Sequence, residues 1–209
     1  MSTIWKDVSI PMRPGMTVWP GDAPFEMTAT SRIADGQGCN VSKVAFSTHT
    51  GTHCDAPWHF EDDGKKLHEV DPAVYFGNAT LFDLPHVDII SASDLGVGRL
   101  PERILLKTKN AKHPANGPFL KEYVAVGADA AQRMVDEGVR MVGVDYLSVA
   151  PFKQPGQDTH HILLANDIFV VEGLLLNDYA AGVYPFVVLP MALHDADGAP
   201  CRAFIGMEG

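Results

Sequence analysis

The sequence predicts a single α/β domain spanning residues 1–209, and three observations carry that expectation. Helical patterns alternate with short apolar runs of strand character, as in α/β domains. The 19 glycines and 15 prolines are spread along the whole chain, as expected for many short elements joined by turns. No repeat, low-complexity tract or Gly/Ser linker marks a domain boundary, and 209 residues suffice for one substantial core.

Taken in order, Val41 to Thr48 alternates, with Val44 and Phe46 on one face, and reads as a strand. Ala79 to Leu84 and Arg103 to Thr108 are the next apolar strand runs. Ala128 to Glu137 is the clearest helix: Asp129 favours its start, Ala131, Met134 and Val135 share a side, and Gly138 stops it. Val139 to Val144 returns as a strand ending at Asp145. Asp158 or Thr159 caps a short helix over His160 to Ala165, which Asn166 ends. Ile168 to Val171 is a continuous apolar strand that runs into Glu172. Phe186 to Leu189 and Arg202 to Ile205 complete the strands.

The composition narrows the function. A formal charge of −10 argues against a nucleic-acid partner, since phosphate backbones call for clustered Lys and Arg. Lys65-Lys66 and the lysines between Lys107 and Lys112 read as solvated surface. No stretch reaches the ~18–20 apolar residues of a membrane span, and Met1 to Asp7 shows no secretion signal. Three cysteines, widely separated and without a Cys-x-x-Cys pair, point to reduced thiols in the cytoplasm.

The chemistry concentrates in His49-Thr50-Gly51-Thr52-His53-Cys54-Asp55-Ala56-Pro57-Trp58-His59-Phe60. His49, His53, Asp55 and His59 stand at spacings of four, two and four, so an extended segment would turn all four to one face. Gly51 and Pro57 disfavour a helix. Imidazoles and a carboxylate are the ligand set of catalytic zinc, manganese or iron. The same alternation turns Cys54 away, as a buried inert thiol or, less simply, a metal thiolate. Glu172, ending an apolar strand, is either a side chain reaching solvent or a charge with a compensating partner.

The run from His49 to Phe60 closely resembles the signature of the metal-dependent cyclase family, whose best-known members are bacterial kynurenine formamidases. Thr17-Val18-Trp19-Pro20-Gly21-Asp22 resembles the family's early turn, and Gly143 to Val149 its late strand-end segment. His160-His161-Ile162-Leu163-Leu164 through Val171-Glu172-Gly173-Leu174 resembles its second ligand block. The resemblance implies a swivelling β/α/β architecture with a mixed, partly barrel-like sheet. It also implies two divalent ions, zinc or alternatively manganese. His49, His53 and Asp55 would hold the first, and Asp55 would bridge to a second held by His160 and Glu172. His161 would then be a neighbour or exposed.

In the activity this implies, metal-activated water attacks an amide carbon and unligated His59 shuttles a proton to the departing nitrogen. An N-formylkynurenine-type aryl formamide would give formate and an aryl amine, a step of tryptophan catabolism. Trp19, Phe60 and Tyr146 are either aromatic contacts for the substrate or ordinary core residues. No Gly-x-Ser-x-Gly elbow points to a serine hydrolase. One departure touches the substrate. Formamidases of this kind tend to carry Asp-Thr-Pro-Ser where this chain has Asp145-Tyr146-Leu147-Ser148. Isatin hydrolase-like opening of a cyclic amide is the alternative, and a metal-binding member without catalysis the more distant one. The resemblance further implies a homodimer or larger homo-oligomer in which loops near the N-terminus complete the neighbour's pocket.

Overall fold

Twelve strands and two α-helices follow one another through residues 2–153 and 158–209, which the computed structural model describes. In chain order they are β1 (Thr3–Asp7), β2 (Glu26–Ser31), β3 (Val41–Ala45), β4 (His53–Asp55), β5 (Phe76–Leu84), β6 (Ile89–Ile90), β7 (Arg103–Thr108) and β8 (Ala125–Val126). Then come α1 (Ala128–Glu137), β9 (Met141–Val144), α2 (Thr159–Leu164), β10 (Phe169–Glu172), β11 (Gly182–Pro190) and β12 (Gly198–Glu208).

The main sheet runs β12-β11-β5-β7-β9-β10-β4, and β4 pairs again with β12, so these strands close into a barrel. Strands β5, β7, β9 and β10 are parallel, while β4, β11 and β12 close the ring antiparallel. Strand β1 adds to β12 beyond β4. The sheet is therefore mixed, and more completely closed than a partial roll.

Alternation along the strands divides the core into two layers. Leu105, Met141, Phe169 and Val171 join Leu81, Phe186 and Ile205 in one buried cluster, the barrel interior. Their neighbours Ile104, Leu106, Val142, Val144 and Val170 face outward and pack with Met134 of α1 and Leu163 of α2. Helix α1 ends as its sequence dictates: Gly138 takes φ 78°, and its N–H reaches the carbonyls of Met134 and Val135. At α2, the Asp158 side chain makes no cap; Thr159 Oγ1 instead donates to Val126 O at 2.7 Å.

Two expectations fail. The strand read as Val41 to Thr48 stops at Ala45 and pairs with β2 in an exposed hairpin away from the barrel. The signature is extended only over His53–Asp55. Thr50 N donates to Ser47 O in a turn, Gly51 takes φ 70°, and Pro57 opens a 3-10 turn, Pro57–His59. The spacing logic assumed one continuous strand, which the glycine and the proline break.

Candidate active site

The site sits on the outer face of the barrel where β4 passes between β10 and β12. Cys54 turns into the interior, so His53 and Asp55 turn out. Register places Glu172 beside His53 and Gly198 beside Asp55. The turn before β4 delivers His49, the 3-10 turn after it delivers His59, and α2 lays His160 over the seam. Folding thus gathers the four signature side chains by turns on either side of a three-residue strand.

Distances define two donor groups that share Asp55. In the first, Asp55 Oδ1 lies 2.9 Å from His49 Nδ1 and 3.6 Å from His53 Nε2. In the second, His160 Nε2 lies 3.2 Å from Glu172 Oε1 and 3.7 Å from Asp55 Oδ2. His53 Nε2 is also 3.1 Å from Glu172 Oε2. Such separations match the edges of a coordination shell with ligands roughly 2.0–2.2 Å from an ion. Asp55 Oδ2 is buried with no hydrogen-bond partner, which a bound cation would satisfy. His53 Nδ1 donates to Gly51 O at 3.0 Å, fixing the tautomer that leaves Nε2 as a lone pair. The donors present fit a divalent metal.

Charges are set by the same contacts. Burial opposes the His49 cation, but hydrogen bonds to Asp197 and Asp55 outweigh it and raise its pKa to about 10. Burial would raise Asp55, yet the bond and charge of His49 hold it below the usual carboxylate range. Glu172, disfavoured by burial and by Asp55, is lowered by His160 and His53. His59 is pushed down, first by burial and then by the neighbouring imidazoles His49 and His160, against the pull of Asp55. It is therefore neutral near pH 7 and able to accept a proton. Its ring stacks on His49 at 3.8 Å.

A cavity of about 410 Å³ opens over the centre, with Trp19, His59, Phe60, Leu147, Ser148 and Asp197 on its walls. Phe60 stacks on His160 at 4.3 Å, and Trp19 packs edge-on against Phe119 and Phe152. Tyr146 lies outside this cavity, as the core-residue alternative has it: it lines a separate cavity beside Asp145, stacks on Tyr123 at 4.4 Å, and its hydroxyl accepts from Leu120 N. Its neighbours Leu147 and Ser148, past the end of β9, line the site cavity instead. His161 is exposed and meets Glu61 at 2.8 Å. The Cys54 thiol is fully buried, and burial raises its pKa.

Sequence reasoning missed Asp197, whose Oδ2 lies 2.8 Å from His49 Nε2 and 3.7 Å from His59 Nδ1. The bond from His49 lowers it to about 2. Its signal was slight: an acid before a glycine where a strand begins.

The family model described as "Putative cyclase" matches residues 6–151. A "Kynurenine formamidase" of Bacillus cereus is 37% identical over 203 residues, covering 96% of each chain. A solved "Potential Metal-Dependent Hydrolase With Cyclase Activity" superposes with a TM-score of 0.84 at 31% identity, covering both chains fully. Isatin hydrolase A from Labrenzia aggregata shares the fold, with a TM-score of 0.84 at 19% identity over 99% of this chain and 94% of that one. The class that this barrel and its buried histidine–carboxylate centre define is a hydrolase. Its matches extend over almost the whole chain, and the chain belongs to the cyclase family.

Proposed function

We propose that this chain hydrolyses aryl formamides of the N-formylkynurenine type, releasing formate and an aryl amine. The broader class is hydrolysis of carbon–nitrogen bonds other than peptide bonds. The observation that carries the reading is the pair of buried donor groups sharing Asp55 at the base of an open cavity. His49, His53 and Asp55 would hold one divalent ion, and Asp55, His160 and Glu172 the other. Imidazole with carboxylate suits zinc or manganese. Bound there, the ions would supply Lewis acidity at the substrate carbonyl and lower the pKa of water.

The chain's own residues do the rest. His59, neutral and in neither Asp55 group, takes a proton from the attacking water and returns it to the departing nitrogen. The Trp19 and Phe60 rings flank an aryl group, and Leu147 closes the wall. A 37% identical relative carrying the formamidase name supports this substrate class.

A second reading, ring opening of a cyclic amide, is favoured by Leu147 on the cavity wall, where formamidases tend to carry a smaller proline. Metal-replete protein assayed on an aryl formamide and on isatin side by side separates the two. Faster turnover of the formamide supports the first, preference for isatin the second, and inactivity on both the non-catalytic member.

We also infer a homodimer or larger homo-oligomer in the cytoplasm. The β2–β3 hairpin exposes Met27, Val41 and Val44, a surface for a second copy, and Cys39, Cys54 and Cys201 are unpaired. No described helix is long and apolar enough to cross a membrane. Light scattering that gives a 22.6 kDa monomer at micromolar concentration would remove the oligomer.

A further inference from the structure

Asp197 belongs to neither Asp55 donor group; it stands with His49 and His59 in a third, partly exposed group of donors and makes one of the closest contacts at the centre. His49 is held at both ring nitrogens: Nδ1 faces Asp55 Oδ1 at 2.9 Å and Nε2 faces Asp197 Oδ2 at 2.8 Å. A ligating imidazole offers one nitrogen as a lone pair and keeps its proton on the other. Nδ1 is the nitrogen beside the shared carboxylate, so Nε2 is the one that keeps the proton.

Asp197 is itself fixed from two sides. Thr48 Oγ1 donates to its carboxylate at 3.1 and 3.3 Å, and its carbonyl accepts from Ala56 N at 2.9 Å. The next residue is bare where the ring lies. A Cβ on Gly198 would sit 2.8 Å from His49 Cε1 and 2.4 Å from Cys54 O. Asp197 and Gly198 together form a shelf: the glycine admits the ring and the carboxylate sets its rotation.

We infer that Asp197 is a positioning residue, which by accepting the Nε2 proton of His49 fixes the ring and leaves Nδ1 free to bind the metal. The inference rests on the metal reading of the centre. A simple ion-pair partner of His49 would affect stability alone, whereas a positioning carboxylate also governs metal affinity. Outer carboxylates of this kind typically contribute ~10–100-fold.

The test is titration of the metal-free full chain with zinc against a chromophoric chelator. Asp197→Ala should weaken zinc binding ~10–100-fold, and Asp197→Asn, whose amide oxygen still accepts, should recover part of that loss. Turnover of the reloaded variant should fall in kcat with KM nearly unchanged. A folded Asp197→Ala protein with zinc affinity within about twofold of the wild type overturns the inference, since positioning predicts a larger loss. If that variant does not fold, Thr48→Val decides, because it removes the hydroxyl that holds the Asp197 carboxylate against His49: several-fold weaker zinc binding supports positioning, and unchanged binding overturns it. Wild-type protein that takes up no zinc removes the metal reading itself, and this inference with it.

Discussion

Among the described residues, histidine and carboxylate donors gather in two places, and the two differ in everything except their donors. The first joins His49, His53, Asp55, His160 and Glu172 over the β4 seam; the second joins His68, His194 and Asp195 on the exposed surface. In the second, the imidazoles stack at 4.0 Å, and Lys66 Nζ already neutralises Asp195 at 2.9 Å. The His194 side chain is 76% exposed. In the first, Asp55 and Glu172 are 1% and 3% exposed and, among the described residues, form ion pairs with histidines alone. Proximity of donors is common; burial of carboxylates without a competing Lys or Arg is what prepares a site for a cation.

Asp55→Ala attacks the comparison at its strongest point. It removes the carboxylate both donor groups share, so elemental analysis should show uptake falling below one ion per chain, with activity lost. Retention of two ions would abolish the distinction drawn above. Next in size is His59→Ala, which should keep its metals and fold and lose roughly 10²–10⁴-fold in turnover. Metal content and rate measured on the same sample decide it: lost metal would make His59 a ligand, and full activity would leave the site without its base.

His160→Ala or Glu172→Ala should halve the metal content and leave His49, His53 and Asp55 able to hold the remaining ion. A smaller effect separates the clusters by protons. Without metal, His49 titrates at about 10, so at pH 8 it carries the proton that its ligating nitrogen must shed. Zinc binding near pH 8 should therefore release protons, and the release should fade as pH rises through about 10. Calorimetry in buffers of different ionisation enthalpy reads this directly. The sign for stability follows. The raised His49 pKa stabilises the metal-free fold fully below ~6.5, and that contribution is lost as pH rises through about 10. Smallest of all, His68→Ala and His194→Ala should leave metal content and rate unchanged and shift stability by within about 0.5 kcal/mol, as surface substitutions do.

Much of this was legible from the chain, for local reasons. Helix Ala128–Glu137 and strand Arg103–Thr108 stand where periodicity and Gly138 put them. His160 and Glu172 meet because a short helix does run into a strand end. What escaped depends on distant partners. The exposed β2–β3 hairpin has no burial pattern to read, and β4 is too short to show alternation. Tyr146 and Leu147 separate, the first lining only the cavity beside Asp145 and the second also the site cavity, because they follow the end of β9, where no strand period applies. Asp197 reaches the centre only through the closure of β12 onto β4.

That closure also sets a timetable. Thr48 and Asp197 touch across 149 positions of sequence, so a ribosome adding ~5–20 residues per second needs roughly 7–30 s to make the second after the first. Throughout that interval the signature imidazoles are already synthesised while the last strand, which completes their cradle, does not yet exist. A ribosome that stalls before β12 therefore leaves a nascent chain that bears every proposed ligand and an unpaired edge on β4.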